Sequence, residues 1–160
     1  MGGKRRFARD AQGRFHPRLR TLEQQLLENL PRQAQMLLVD DDPSTERLFP
    51  PAYLGDAEAE AEYRSLMADS LRTRHQLALD TLAATAGEET IDEEQLQMWM
   101  GALEVMRLVL GTQLDVTEDM DAVDPSDPRI EQFAVYQYLS MLQDEIVGAL
   151  TTALPPAGED

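Results

Sequence analysis

The stretch IDEEQLQMWMGALEVMRLVLGTQL, residues 91–114, carries the clearest helix start signal in the chain. Asp92 and Gln95 have the spacing of a capping box, and Ile91 precedes it as an apolar staple residue. Apolar residues then follow around most of the helical circumference, which is typical of a central, buried helix. The pattern predicts a helix over 93–114 in the middle of the core, with the core positions Leu96, Trp99, Leu103 and Leu110.

Arg107 falls in the middle of the apolar face of this predicted helix. Burying an unpaired guanidinium is prohibitively unfavourable, so the side chain requires a partner. We expect a structural ion pair with Glu62 on the preceding long helix or with Glu104 one turn back. Such a pair would set the register of the helices, and this interpretation is favoured over a ligand site.

Helical spacing of apolar residues also precedes the central stretch. Thr21 has Gln24 at capping-box spacing, which predicts a helix that Pro31 should kink or split. Asp42-Pro43 is typical of an N-cap followed by proline in the first turn of a short helix.

A long helix is predicted over 57–86, ending in a left-handed residue at Gly87. Its buried stripe is predicted to comprise Tyr63, Leu66, Met67, Leu71, Leu77, Ala78 and Leu82.

The two ends of the chain complete the predicted architecture. A final helix is expected over about 128–154, followed by a disordered tail at 155–160. Residues 4–19 have no helical stripe and resemble two short strands around a glycine-containing turn. The fold class is therefore mainly α: a single domain, 1–154, made of a compact bundle of four or more main helices with a small N-terminal β-hairpin arm at 4–19 and a helical body at 20–154. The last helix contributes the core positions Leu139, Leu142 and Ile146.

Charge divides the chain into two parts. The net charge is −16, but residues 1–20 carry +6 and the remainder carries −22. An acidic body repels nucleic acid and anionic membranes, so contact with nucleic acid is expected only through the basic segment. The candidate interaction arm comprises Lys4, Arg5, Arg6, Arg9, Arg14, Arg18 and Arg20.

Several classes of chemistry lack their usual residues. There is no cysteine, one lysine and no glycine-rich phosphate loop. The two histidines, His16 and His75, have no metal-ligand spacing and are interpreted as surface residues. The acidic loop at 115–124 lacks the glycine and closing glutamate of an EF-hand. We therefore expect no catalytic, cofactor-binding or metal-binding residues. With neither a secretory signal nor an apolar run long enough to span a membrane, a cytoplasmic location is expected.

Several phrases together resemble one family. They include Arg47-Leu48-Phe49-Pro50, Glu62-Tyr63-Arg64 and Arg107-Leu108-Val109-Leu110-Gly111-Thr112. In order and spacing, over about residues 20–150, they are similar to the actinobacterial family called domain of unknown function two-thousand-seventeen. The resemblance implies an uncharacterised cytoplasmic protein encoded near the adaptor of the Clp protease. Its AosR-like branch is described as oxidative-stress transcription regulators that act with a sigma factor through a paired-cysteine switch. That switch does not transfer to a chain without cysteine.

Three functional hypotheses remain open at this point. The first is a non-enzymatic regulatory module in transcription or stress regulation, binding protein partners from the transcription or proteolysis machinery. The second is a DNA-associated transcription regulator that uses the basic arm. The third is a small ligand-binding or enzymatic helical bundle. The oligomeric state is left open, with a dimer as one alternative.

Overall fold

The computed structural model of the protein describes residues 6–50, 55–115 and 126–152. It is mainly α-helical with a small antiparallel N-terminal hairpin, which confirms the predicted fold class. The predictions for Lys4, Arg5, most of the acidic loop at 115–124 and the tail at 155–160 lie outside the described residues. The elements in chain order are β1 (Phe7–Arg9), β2 (Phe15–Pro17), α1 (Thr21–Val39), a 3₁₀ helix (Pro43–Leu48), α2 (Ala57–Thr85), α3 (Glu93–Gln113) and α4 (Ile130–Thr152).

Helix α3 lies at the centre of the bundle and packs against α1, α2 and α4. Its start is the capping box expected from the sequence. The Asp92 carboxylate accepts from the Gln95 N–H at 2.7 Å, and the Gln95 side chain accepts from the Asp92 N–H at 3.0 Å. The indole Nε1 of buried Trp99 donates to Thr85 Oγ1 at 2.7 Å, which satisfies its one polar group. Leu110 is only partly buried, whereas the other core positions named above are buried: Leu96, Trp99, Leu103, Leu139, Leu142 and Ile146.

The hairpin is part of the hydrophobic core. Its β1 ring, Phe7, lies edge-on to Trp99 with centroids 6.0 Å apart, and Phe15 of β2 is fully buried. Phe15 also forms an antiparallel bridge with Ile91, with N–H···O distances of 2.8 and 2.9 Å. The connection between α2 and α3 therefore pairs with the hairpin edge. This explains how two strands that would be marginal alone are held in place.

Helix α1 differs from its prediction at two points. The capping interaction lies one residue earlier, because the Glu23 carboxylate accepts from the Arg20 N–H at 2.8 Å. Pro31 does not split the helix, which runs without a break from Thr21 to Val39. Pro31 is buried, and its packing in the core offsets the backbone hydrogen bond that a proline removes.

Two glycines act through close packing. Gly87 does not have the predicted left-handed conformation; a Cβ there would lie 2.8 Å from Gln24 Nε2. Gly111 does not end α3, which continues to Gln113. A Cβ at Gly111 would approach the Tyr136 ring to 3.2 Å. Both positions let neighbouring side chains approach more closely than another residue would permit.

Candidate interaction surfaces

Helix α2 extends beyond the bundle that supports it. It has 29 residues, about 44 Å of helix, yet its buried residues are Ala78, Leu79 and Leu82 near its end. Residues 57–77 include no buried side chain. The predicted stripe is therefore wrong for Leu66, Met67 and Leu77, which are exposed, and right for Ala78 and Leu82. Apolar spacing identified the helix correctly. The hydrogen bonds described between α1 and α2 lie in the second half of α2, from Arg72 to Asp80.

Four exposed residues form one stripe on the side of α2 away from the core. Their spacing of four, three and four residues places them on a common helical face. Leu66 is 71% exposed and Leu77 is 56% exposed. We call this stripe the outer face of α2; it comprises Leu66, Ser70, Thr73 and Leu77.

Apolar residues of α1 continue this surface at its C-terminal end. Gln35 and Gln76 exchange hydrogen bonds between side-chain Nε2 and backbone oxygen, at 3.3 and 3.2 Å, so the two helices are level here. Next to Gln35, Met36 is 67% exposed, and Val39 one turn later is 72% exposed. Clustered exposed apolar side chains of this size are typical of contact sites rather than of a freely solvated surface.

Charge is unevenly distributed along α2, although Arg64, Asp69 and Asp80 interrupt the pattern. Residues 56–62 include four acids and no base, whereas residues 70–79 include Arg72, Arg74 and no acid. Glu60 pairs with Arg64 at 3.4 Å. Arg72 is held from inside: its Nη1 donates to the Leu38 carbonyl oxygen at 3.2 Å, and the guanidinium lies 5.4 Å from the Phe49 ring centroid. Arg74 is exposed.

The histidines have structural roles. His75 Nε2 lies 3.2 Å from the Leu48 carbonyl oxygen, and its ring packs edge-on to Phe49. Burial lowers the pKa of His75, against the raising effect of that hydrogen bond. The surface interpretation of His75 is therefore wrong. His16 is partly exposed and lies 2.7 Å from Asp10, whose pKa is lowered by hydrogen bonds from the Arg14 N–H and from His16.

Arg6 ties the basic segment to the body. Its Nε lies 3.0 Å from Glu23 Oε1, and its Nη1 lies 2.9 Å from Glu145 Oε1. The Tyr138 hydroxyl donates to the same Glu23 oxygen at 2.9 Å. Burial would raise the pKa of Glu23, but the Arg20 N–H, the Tyr138 hydroxyl and the Arg6 charge together lower it. Burial raises the pKa of Tyr138, and the hydrogen bond to the Glu23 anion raises it further.

The other described arginines of the hairpin segment are at the surface. Arg14 Nε donates to Thr90 Oγ1 at 2.9 Å, and the Arg9 guanidinium lies 5.9 Å from the Phe15 ring centroid. Because the aromatic residues beneath are buried, the charges are displayed on a fixed element. This basic patch comprises Arg9, Arg14, Arg18 and Arg20.

The expected direct ion pair of Arg107 is wrong. Arg107 Nη1 donates to Gln143 Oε1 at 2.7 Å, and Gln143 Nε2 donates to Glu104 Oε2 at 2.7 Å. Glu62 is exposed on α2, and within the described residues neither Glu62 nor Glu104 lies within 4.0 Å of the guanidinium. The amide can donate to one charge and accept from the other, so it links the two across α3 and α4.

Clefts and clusters add little that points to chemistry. An open cleft of about 260 Å³ between β1 and α4 is lined by Arg6 and Glu145, which are already paired, and by small or apolar residues of α4. In the described part of the chain, no three histidine, aspartate or glutamate side chains are grouped to hold a metal ion. Among the described helices, none combines the length and apolarity required to cross a bilayer.

Comparison with known proteins gives the family. The chain is 30% identical over 128 residues to the putative oxidative stress regulator AosR of Mycobacterium leprae, covering 69% of this chain and 59% of that protein. It is also 30% identical over 115 residues to the oxidative stress regulator AosR of Mycobacterium bovis, covering 69% of this chain and 50% of that protein. The chain thus spans between half and three fifths of the length of these relatives. No solved structure matches. The model of the family described as Domain of unknown function (DUF2017) matches residues 4–150, and the chain belongs to that family.

Proposed function

We propose that this protein is a non-enzymatic cytoplasmic regulator that acts through noncovalent contact with another protein, made by the outer face of α2. Two relatives are named as oxidative stress regulators, which supports a regulatory role. The chain has no cysteine. Any regulation within it therefore works through contacts between surfaces rather than through a disulfide.

The observation that carries the proposal is the absence of any buried side chain over residues 57–77 of a helix that exposes Leu66 and Leu77. Most helical stability in proteins comes from packing an apolar face rather than from the helix propensity of the residues. Full burial of a leucine side chain contributes about 1.5–3 kcal/mol. A protein that covers this face would therefore gain from both leucines and stabilise the helix.

The test is affinity capture from a native lysate with tagged wild type and with Leu66→Glu. The expected result is a reproducible partner that wild type retains and Leu66→Glu loses. Leu22→Glu, at a comparably exposed leucine of α1, is the matched control and should retain the partner. Capture that is equal for all three proteins, or absent for all, would contradict the proposal.

A second candidate function is DNA contact through the basic patch. It is favoured by four exposed arginines that lie on, or within three residues after, a hairpin that the core holds in place. It ranks second because residues 21–160 carry −22 and repel phosphate. Deleting the hairpin would also remove Phe7 and Phe15 from the core, so the test requires substitutions.

A gel-shift comparison of wild type with Arg14→Gln, Arg18→Gln and Arg20→Gln combined tests this candidate. If the patch contacts DNA, each lost phosphate contact reduces the slope of log affinity against log salt by about 0.9. The control is Arg74→Gln, at an exposed arginine of α2 outside the basic patch, which should leave DNA binding unchanged. No shift with wild type, or the same shift with the triple variant, refutes it.

A further inference from the structure

We infer that the outer face of α2 binds the same face of a second copy of this chain, with the two helices antiparallel. The inference rests on the proposed function, since it takes that face to be a protein contact and names the occupant. An isologous contact requires a surface that is complementary to itself, and two-fold dimers are the commonest assemblies of soluble proteins.

The apolar content of the face suits a helix–helix contact. Leu66, Ser70, Thr73 and Leu77 recur at the spacing of a coiled-coil seam. Between the two leucines, the seam positions are small, so two helices could approach closely at the centre. In an antiparallel pair centred between Leu66 and Ser70, Leu66 of each copy lies beside Ser70 of the other. Thr73 and Leu77 then lie beside Tyr63 and Ala59, which continue the stripe toward the start of α2.

The charge pattern selects this occupant and this orientation. Four acids and no base lie at 56–62, and Arg72 and Arg74 lie in an acid-free stretch at 70–79. A parallel pair would place acids against acids and arginines against arginines. An antiparallel pair about a centre near residue 68 instead places exposed Glu62 of each helix beside exposed Arg74 of the other, which electrostatic complementarity favours. Arg72 takes no part because it binds toward the interior, and Asp80, which would face Asp56, is already paired with Arg32. The helix thus carries both halves of a complementary pattern.

Repulsion between the two negatively charged copies does not cancel this local attraction. Each chain carries −16, but charges separated by more than about 8 Å are largely screened at about 0.15 M salt. The short-range pattern at the contact therefore decides the orientation, and apolar burial supplies the attraction.

Sedimentation equilibrium of the untagged chain, over about 1–100 μM at about 0.15 M salt, tests whether the dimer exists. The expected result is a mass that rises from 18.0 kDa toward twice that value. Leu66→Glu should remain at the monomer mass, and the matched control Leu22→Glu should associate like wild type. A wild type that stays monomeric throughout, or a Leu66→Glu that associates equally well, overturns the inference.

A spin-label distance tests the orientation, and the cysteine-free chain makes the labelling clean. Glu58→Cys places one label on an exposed position of each copy, ten residues from the predicted centre. Antiparallel pairing separates the two labels by about 30 Å along the helices, whereas parallel pairing keeps them within roughly 20 Å. The shorter distance would overturn the antiparallel contact.

The outcomes separate this inference from the proposed function. A monomeric chain that captures a lysate partner through Leu66 keeps the proposed function and overturns self-pairing. A dimer that captures no partner in any form keeps self-pairing and contradicts the proposed regulatory contact.

Discussion

Replacing Phe15 by alanine tests whether the basic hairpin belongs to the core of the protein. Phe15 is fully buried, and its backbone bonds to Ile91 place it between the hairpin and the start of α3. Truncating a buried phenylalanine to alanine typically costs about 3–5 kcal/mol, because apolar contacts are lost and a cavity remains. Since whole domains are stable by about 5–15 kcal/mol, the free energy of unfolding should fall by about a fifth or more.

Urea unfolding followed by the fluorescence of the single tryptophan, Trp99, measures this change. The reporter is well placed, because Trp99 is buried and contacts Phe7 of the same hairpin. Leu22→Ala, at a residue 79% exposed, is the control and should change the free energy by no more than about 0.5 kcal/mol. A loss below about 1 kcal/mol for Phe15→Ala would refute the conclusion that the hairpin is part of the core.

Three further changes test the interior and its charges. Glu23→Gln should destabilise the protein by about 1–2 kcal/mol near neutral pH. Because folding lowers the pKa of Glu23, the difference from wild type should hold above its ordinary pKa of 4.5 and vanish as pH falls through the lowered pKa. Urea titrations across pH measure this difference. Gln143→Leu should lower the free energy of unfolding by about 1–3 kcal/mol, since it leaves two charged groups without their hydrogen bonds. The control Gln137→Leu, on the exposed side of α4, should change it little. Equal effects of the two variants in urea unfolding would exclude the amide link. Gly101→Ala should raise the melting temperature, because alanine favours a helix by about 1 kcal/mol and its Cβ meets only ordinary contacts. Gly111→Ala should raise it less, because the Tyr136 ring must move. The opposite order of melting temperatures would contradict the close packing at Gly111.

Local signals in the sequence predicted the elements well. The capping box at Asp92 and Gln95 and the apolar pattern after it located the central helix and most of its buried residues. The glycine-containing turn located the hairpin. Signals of this kind act over a few residues, so they survive whatever the rest of the chain does.

Features that depend on distant partners could not be predicted from local patterns. The contacts of Arg6 with Glu23 and Glu145 join residues far apart in sequence, and nothing near Arg6 indicates them. The role of Gln143 had a weak signal, a polar residue next to the apolar stripe of α4, but not the identity of its partners. Periodicity found the apolar face of α2 yet could not indicate that the bundle stops short of Leu66. The sequence pattern specifies that a face is apolar, and the neighbouring elements determine which apolar face is covered.

Amide hydrogen exchange along α2 tests the central claim, that a second copy of the chain covers its outer face, most directly. The measurement compares a dilute sample with a concentrated one, and compares wild type with Leu66→Glu under the same conditions. We expect exchange in residues 62–77 to slow at high concentration in wild type, because pairing suppresses local opening, and to stay fast in Leu66→Glu. Residues of α3, which are already buried, should exchange slowly in every sample. Exchange in residues 62–77 that does not change with concentration, or changes equally in Leu66→Glu, would contradict the claim.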